Sequence, residues 1–358
     1  MKKLLILSLA LFLVGGIAMA QMGLTAGLDF DIGTLNVNTN ADKGGDKDAK
    51  IGDQMAIRAS IAYENDELLE GLTLSAEAGF AFQAGYVKGD SRKESSGYQE
   101  KMPVGFDIGA GGVYNLGLTS ESSLDFGANL FFSLGMGDVF YANYHSGLIA
   151  PFQQRGSGFG MATSKKRADD SEYGGGNGIF ILTPHVRYNH AIAGVGDFFA
   201  GLALPYTATT WEKDGAEMNL NIHLGIVTDF GFGFEAIVYN TPYTKREAAR
   251  KERKDNNAVW FNYLELIPSF NYEDFIYAEV AIGIPIYSTK EGDKSFSGIE
   301  YQGIAITPEI SVEVPGVDGL SVYANLPIRG IAAKTELFPG TERRTMFFGL
   351  GIGARFSF

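Results

Sequence analysis

The residues able to do chemistry are few in kind. The 358-residue chain has no cysteine, and its four histidines are His145, His185, His190 and His223. Without cysteine there is no disulfide framework, no thiolate metal site, no cysteine nucleophile and no lipid attachment through sulfur. Four scattered histidines also leave too few ligands for a structural zinc site, so no metal and no cofactor are expected. Carboxylates are the abundant reactive group, with 42 Asp and Glu against 29 Lys and Arg and a formal net charge of -13. An acidic chain of this kind cannot neutralise a phosphate backbone, which excludes nucleic acid as a partner. Hydrolytic chemistry would need a histidine beside a nucleophile or a second carboxylate. His185 and His223 fall on non-adjacent segments and His145 in a long connection, so the chain is expected not to be an enzyme. Asp42, Asp46 and Asp48 lack the closing Glu of a calcium loop, and Gly156, Gly158 and Gly160 lack the strand-then-helix setting of a phosphate loop.

What orders the charges is their phase. In Leu72–Tyr86, the residues Leu72, Leu74, Ala76, Ala78, Phe80, Phe82, Ala84 and Tyr86 alternate with Thr73, Ser75, Glu77, Gly79, Ala81, Gln83 and Gly85. Period two held that long is a strand with one apolar face. Leu124–Met136 and Met346–Phe358 repeat it. The ionisable residues sit on the polar phase: Asp29, Asp31, Arg58, Glu77, Asp107, Asp125, Arg187, Glu235, Glu265, Glu279, Glu309, Arg329 and Arg355.

About fourteen such segments run from residue 22 to 358, most of them longer than the ~5 to 6 residues of a soluble strand. Short turns follow the even-numbered segments (65–70, 117–122, 190–196, 229–230, 271–274, 315–319). Longer, charged connections follow most odd-numbered ones (88–102, 138–177, 241–257). The first twenty residues differ. Lys2 and Lys3, the apolar run Leu4–Ile17 and the small residues Ala18 and Ala20 read as a cleaved signal peptide over 1–20. Residues 21–358 then form one domain.

These features together resemble the bacterial outer-membrane β-barrel proteins, porin-like in layout, and the resemblance spans the whole mature chain. It implies an all-β transmembrane antiparallel up-and-down barrel of about 14 strands, with 12 or 16 possible and both termini on the periplasmic rim. It further implies that Phe358, Phe356, Ala354 and Ile352 form the terminal signal read by the barrel-assembly machinery. The partners implied are outer-membrane lipid, that machinery and small solutes. The oligomeric state stays open.

In such a barrel the apolar phase faces lipid and the charged phase faces the lumen. An excess of inward carboxylate concentrates cations and repels anions, so the expectation is a passive channel for small polar solutes with a cation preference. The long third outer loop, 138–177, resembles in rank the loop that narrows porins, and Lys165, Lys166 and Arg167 would then face the wall carboxylates. Two alternatives stay beside this reading. One is a fatty-acid-transporter-like barrel for hydrophobic solutes, using inward Phe131, Phe199, Ile237 and Phe347. The other is a surface adhesin or antigen without an open pore.

Overall fold

Alternation of apolar and polar residues makes strands, and strands of this length satisfy their backbone groups by closing on themselves. The computed structural model describes residues 23–41, 47–86, 104–136, 177–209, 217–242, 260–273, 275–291, 294–297, 299–300, 303–332, 335–338 and 341–358. Its strands are β1 (Leu24–Ala41), β2 (Lys47–Leu69), β3 (Leu72–Tyr86), β4 (Val104–Gly117), β5 (Ser122–Met136), β6 (Asn177–Ile192) and β7 (Gly196–Ala203). They continue as β8 (Tyr206–Thr209), β9 (Glu217–Met218), β10 (Leu220–Thr228), β11 (Phe232–Pro242), β12 (Trp260–Tyr272) and β13 (Ile276–Pro285). The last are β14 (Ser288–Glu291), β15 (Lys294–Ser297), β16 (Ile304–Glu313), β17 (Leu320–Asn325), β18 (Ile328–Ile331), β19 (Thr335–Phe338) and β20 (Thr341–Ser357).

Every wall pairing is antiparallel, in the order β1 to β7, β10 to β13, β16, β17 and β20. The first and last strands meet along Thr25↔Ser357 to Ala41↔Thr341, which closes a barrel of fourteen positions. The fourteen expected segments are the fourteen wall positions. β8 continues the line of β7, β9 that of β10, and β18 and β19 that of β17. Two of these breaks fall at Pro205 and Pro327, which have no N–H for the ladder. Their carbonyls still accept, from Asn219 at 2.8 Å and Gly349 at 2.8 Å, so the wall stays joined. The hairpin β14–β15 stands apart as a two-stranded sheet and was not expected. The Gly292–Asp293 pair between its strands is a hairpin-turn signal that the wall pattern concealed.

One rim carries the short turns. At Gly231 and Gly319 the chain adopts φ of 86° and 77°. A Cβ there would strike the carbonyls of Asn271 and Ser357, so glycine is needed both for the angle and for the approach. The connections 87–103, 137–176 and 243–259 lie outside the described residues, as do residues 1–22, where a signal peptide is expected, and the expected third-loop residues Lys165, Lys166 and Arg167.

The two faces differ sharply. Leu28, Phe80, Ile108, Leu130, Leu182, Leu202, Leu224, Phe234, Ile310 and Ile352 all point outward and are exposed. Through the middle of the wall, the outward positions whose side chains are described carry no Asp, Glu, Lys or Arg. Each leucine or phenylalanine moved from water into an apolar medium gains about 1.5–3 kcal/mol. A contiguous charge-free apolar belt around a closed barrel is therefore a lipid-facing surface. Near the short-turn rim it is edged by Tyr114, Phe126, Phe230, Phe232, Phe270 and Tyr272, where aromatic rings suit the lipid interface.

Candidate functional site: the inner wall

With the outer face apolar, the inner wall holds the polar chemistry, and it divides into three parts.

The first spans β1 to β4. Asp29 and Arg58 face each other in register, and Asp107 lies opposite Gly79 on the next ladder. The Arg58 guanidinium reaches across the intervening strand. It donates to Asp107 through Nε (3.2 Å) and Nη2 (2.6 Å), to Glu77 through Nη2, and sits 3.6 Å from Asp29. The Tyr323 hydroxyl of β17 donates to Asp29 at 2.6 Å, passing over Gly353 of β20. Gly79 makes the cluster possible, because a Cβ there would lie 2.5 Å from both Arg58 Nη2 and Asp107 Oδ1. Arg58 and Asp29 are each 3% exposed. The attraction is strong at such burial, and so is the penalty for losing a partner.

The second part runs over β11 to β17. Glu265, 1% exposed, accepts a hydrogen bond from the Tyr239 hydroxyl at 2.8 Å. Glu279 accepts from Tyr277 at 2.5 Å, and Glu309, opposite Glu279 in register, accepts from Asn325 at 3.4 Å. Interleaved with these acids is an apolar inward cluster of Ile237, Tyr239, Ile267 and Ala281 with Tyr263 packed on it. Tyr263 lies over Gly283, as Tyr323 lies over Gly353. Inward rings thus fill the gaps that wall glycines leave.

The third part lies on β5 to β11. Phe199 sits over Gly225, whose Cβ would collide with the ring. The Arg187 guanidinium stacks on that ring with Cζ 4.0 Å from its centroid. His223 meets the ring edge-on at 4.8 Å and places Nε2 3.1 Å from Glu235. Arg187 and Asp125 are opposite in register. Asp125 is nevertheless taken by two amides, Asn115 Nδ2 at 2.5 Å and Asn189 Nδ2 at 2.7 Å. Arg187 turns onto the ring instead, and its buried Nε has no hydrogen-bond partner.

Of the residues expected to line the lumen, Asp29, Arg58, Glu77 and Asp107 come together in one cluster. Asp125, Arg187, Glu235, Glu265, Glu279 and Glu309 are spread round the wall on the inward phase. Arg355 stands near the short-turn rim, its Cζ 5.2 Å from the Tyr323 ring centroid. Asp31 and Arg329 lie in strands where only the backbone is described. Ile352, Ala354, Phe356 and Phe358 sit along the closing strand, with Phe356 and Phe358 ring to ring at 4.6 Å and the Phe358 N–H donating to Leu24. The partners missed in the sequence are the neutral donors Tyr239, Tyr277, Tyr323, Asn115, Asn189 and Asn325. Their signal was available, since Tyr239, Tyr277 and Tyr323 share the inward phase, but charge alone drew attention. Among the described residues no group of three or more His, Asp and Glu is placed to hold a metal ion.

No protein-family model matches the chain, and no curated protein does. Solved structures do. A TodX monoaromatic hydrocarbon channel with the deltaS2 mutation matches at TM-score 0.51 and 9% identity, covering 96% of this chain and 93% of that one. The deltaS2S3 mutant of the same channel matches at 0.50 and 9%, covering 96% and 92%. The Pseudomonas putida toluene transporter TodX itself matches at 0.49 and 8%, covering 96% and 92%. At these identities the likeness is one of fold. The closed antiparallel barrel with a charge-free apolar belt around its middle is that of an outer-membrane β-barrel protein. No one family within that class is indicated.

Proposed function

We propose that this chain is an outer-membrane channel through which small polar solutes diffuse, with a lumen that prefers cations. The observation that carries the reading is the composition of the inward phase. Asp29, Glu77, Asp107, Asp125, Glu235, Glu265, Glu279 and Glu309 face Arg58, Arg187 and Arg355. A negative wall in a low-dielectric tube raises the local cation concentration. The low exposure of the inward side chains, with Ile267 at 0% and Phe199 at 3%, supports a narrow passage in place of a wide wet bore. There is no covalent step, and solute size and charge are sorted by the wall.

The test is single-channel recording of the refolded mature protein in a planar bilayer under a potassium chloride gradient. The reversal potential should show cation preference, and Glu265→Gln with Glu279→Gln should move it toward zero. Inserted protein that does not conduct would overturn the channel reading.

A second reading is favoured by the apolar inward cluster of Ile237, Tyr239, Ile267 and Ala281. Such a surface would pass a hydrophobic solute, the class to which the cargo of the TodX monoaromatic hydrocarbon channel belongs. Toluene entry into proteoliposomes, with loss on Ile267→Asp, separates the two.

A further inference from the structure

Arginine 187 departs from what its position dictates. It lies directly opposite Asp125 across β5 and β6, and an ion pair between such neighbours on one face is the ordinary outcome. Among the described residues Arg187 makes no ion pair. Asp125 instead takes donors from Asn115 and Asn189, and the Asp125 and Glu235 carboxylates act on the guanidinium through space without a direct contact. The Phe199 ring lies against Gly225 of the wall, and its face is a shelf. The guanidinium lies on that face at 4.0 Å, and with His223 against the ring edge it leaves Phe199 only 3% exposed. Arg187 and Phe199 both lie on the inward phase, so the stack is part of the inner wall.

A stacked guanidinium keeps its in-plane donors. Cation–π contact uses the face of the group and leaves the N–H edge unspent. Nε is buried without a hydrogen-bond partner, and no hydrogen bond among the described residues engages the two Nη groups, whose end-on pair of donors a carboxylate can grip. The ring also restricts the guanidinium to one plane, so less rotamer entropy is lost when a ligand binds. Such a group is matched by a planar anion with two oxygens.

We propose that Arg187, held on the Phe199 shelf, is a binding point for the carboxylate group of a solute inside the barrel. The proposal rests on the channel reading for how the solute arrives, and it names what that otherwise acidic wall can hold. An acidic lumen repels simple anions, so a fixed bidentate donor is the means by which carboxylates are selected over chloride. The two asparagines hold Asp125 away from direct contact with Arg187, which makes Asn115 and Asn189 positioning residues of the same site.

The experiment is calorimetric titration of sodium benzoate into the refolded mature protein in detergent, with benzamide as the neutral isostere. Saturable benzoate binding with no benzamide binding is expected. Arg187→Gln should weaken it about tenfold or more, and Arg187→Lys, which keeps the charge but not the fork, should fall between. Heat-modifiable gel mobility shows whether each variant is folded, and Phe199→Leu serves as a second probe through loss of the shelf. Equal binding by wild type and Arg187→Gln, equal binding of benzamide, or no binding to folded wild type would each overturn the proposal. Bilayer recording with benzoate separates the two readings. A protein that binds benzoate through Arg187 yet does not conduct refutes the channel and keeps the site. A protein that conducts without any benzoate effect on wild type refutes the site and keeps the channel.

Discussion

Arg58 and Arg187 begin from the same situation and end in opposite ones. Each projects inward from the barrel wall with an aspartate opposite it in register, Asp29 for Arg58 and Asp125 for Arg187. Arg58 is surrounded by Asp29, Glu77 and Asp107, and is 3% exposed. Arg187 makes no ion pair among the described residues and lies on a phenyl ring. The difference comes from their neighbours. Gly79 opens a path for Arg58 across a strand. At Arg187 the aspartate is already satisfied by amides, while Phe199 supplies a flat surface. One arginine is part of the wall's own bonding, and the other is the proposed contact for a solute. A lumen charge therefore acts on a solute only to the extent that the wall leaves it unsatisfied.

The largest test of this contrast is stability. Arg58→Met would leave three carboxylates crowded at low exposure without their guanidinium. Removing one partner of a buried ion pair is expected to lose about 3–5 kcal/mol. The unfolding midpoint in urea, followed by intrinsic fluorescence and by gel mobility of unheated samples, should fall accordingly. Arg187→Gln should shift that midpoint by less than about 1 kcal/mol, the range of a surface change. Similar losses from both substitutions would end the distinction.

Next in size is the space that each arginine uses. Gly79→Ala places a methyl 2.5 Å from Arg58 Nη2 and Asp107 Oδ1, and overpacking of this kind loses about 1–3 kcal/mol. Because both atoms belong to the same cluster, Asp107→Ala should relieve most of the added strain in the double variant. Non-additivity measured by a mutant cycle is the readout. Additive losses would mean that the methyl is accommodated elsewhere.

Much of this was legible before any coordinates. Period-two alternation gave the fourteen wall positions, because one face of every strand must meet an apolar medium and register errors would turn charges outward. It also placed Asp29, Arg58, Glu77, Asp107, Asp125 and Arg187 on a common inner face. What alternation cannot carry is which inward residues touch. Contacts such as Tyr323 to Asp29 join β17 to β1, 294 positions apart in sequence, and depend on the stagger of the closing strand. Whether a charge is satisfied depends equally on neutral donors such as Asn115 and Asn189, which a reading by charge passes over. The β14–β15 hairpin was hidden for a similar reason, since it lies beyond the wall and shares no face with it.

The smallest stability effect sharpens the comparison most. Replacing Asn115 and Asn189 together by alanine removes the two amides from Asp125 and should change stability by only about 1–2 kcal/mol, the net worth of two partly exposed hydrogen bonds. The freed carboxylate then regains its register partner. Arg187 leaves the Phe199 ring to pair with it, and the inner wall acquires a second arginine of the Arg58 kind. Benzoate affinity should drop several-fold although Arg187, Phe199 and every other proposed contact is intact. Adding Asp125→Asn to that double variant removes the competing carboxylate and should restore benzoate binding. Loss followed by restoration can come only from competition for the guanidinium, since a general loosening of the site would persist in the triple variant. If the double variant binds benzoate as the wild type does, Asp125 never competed for Arg187. The contrast between the two arginines would then have to be traced to the ring alone.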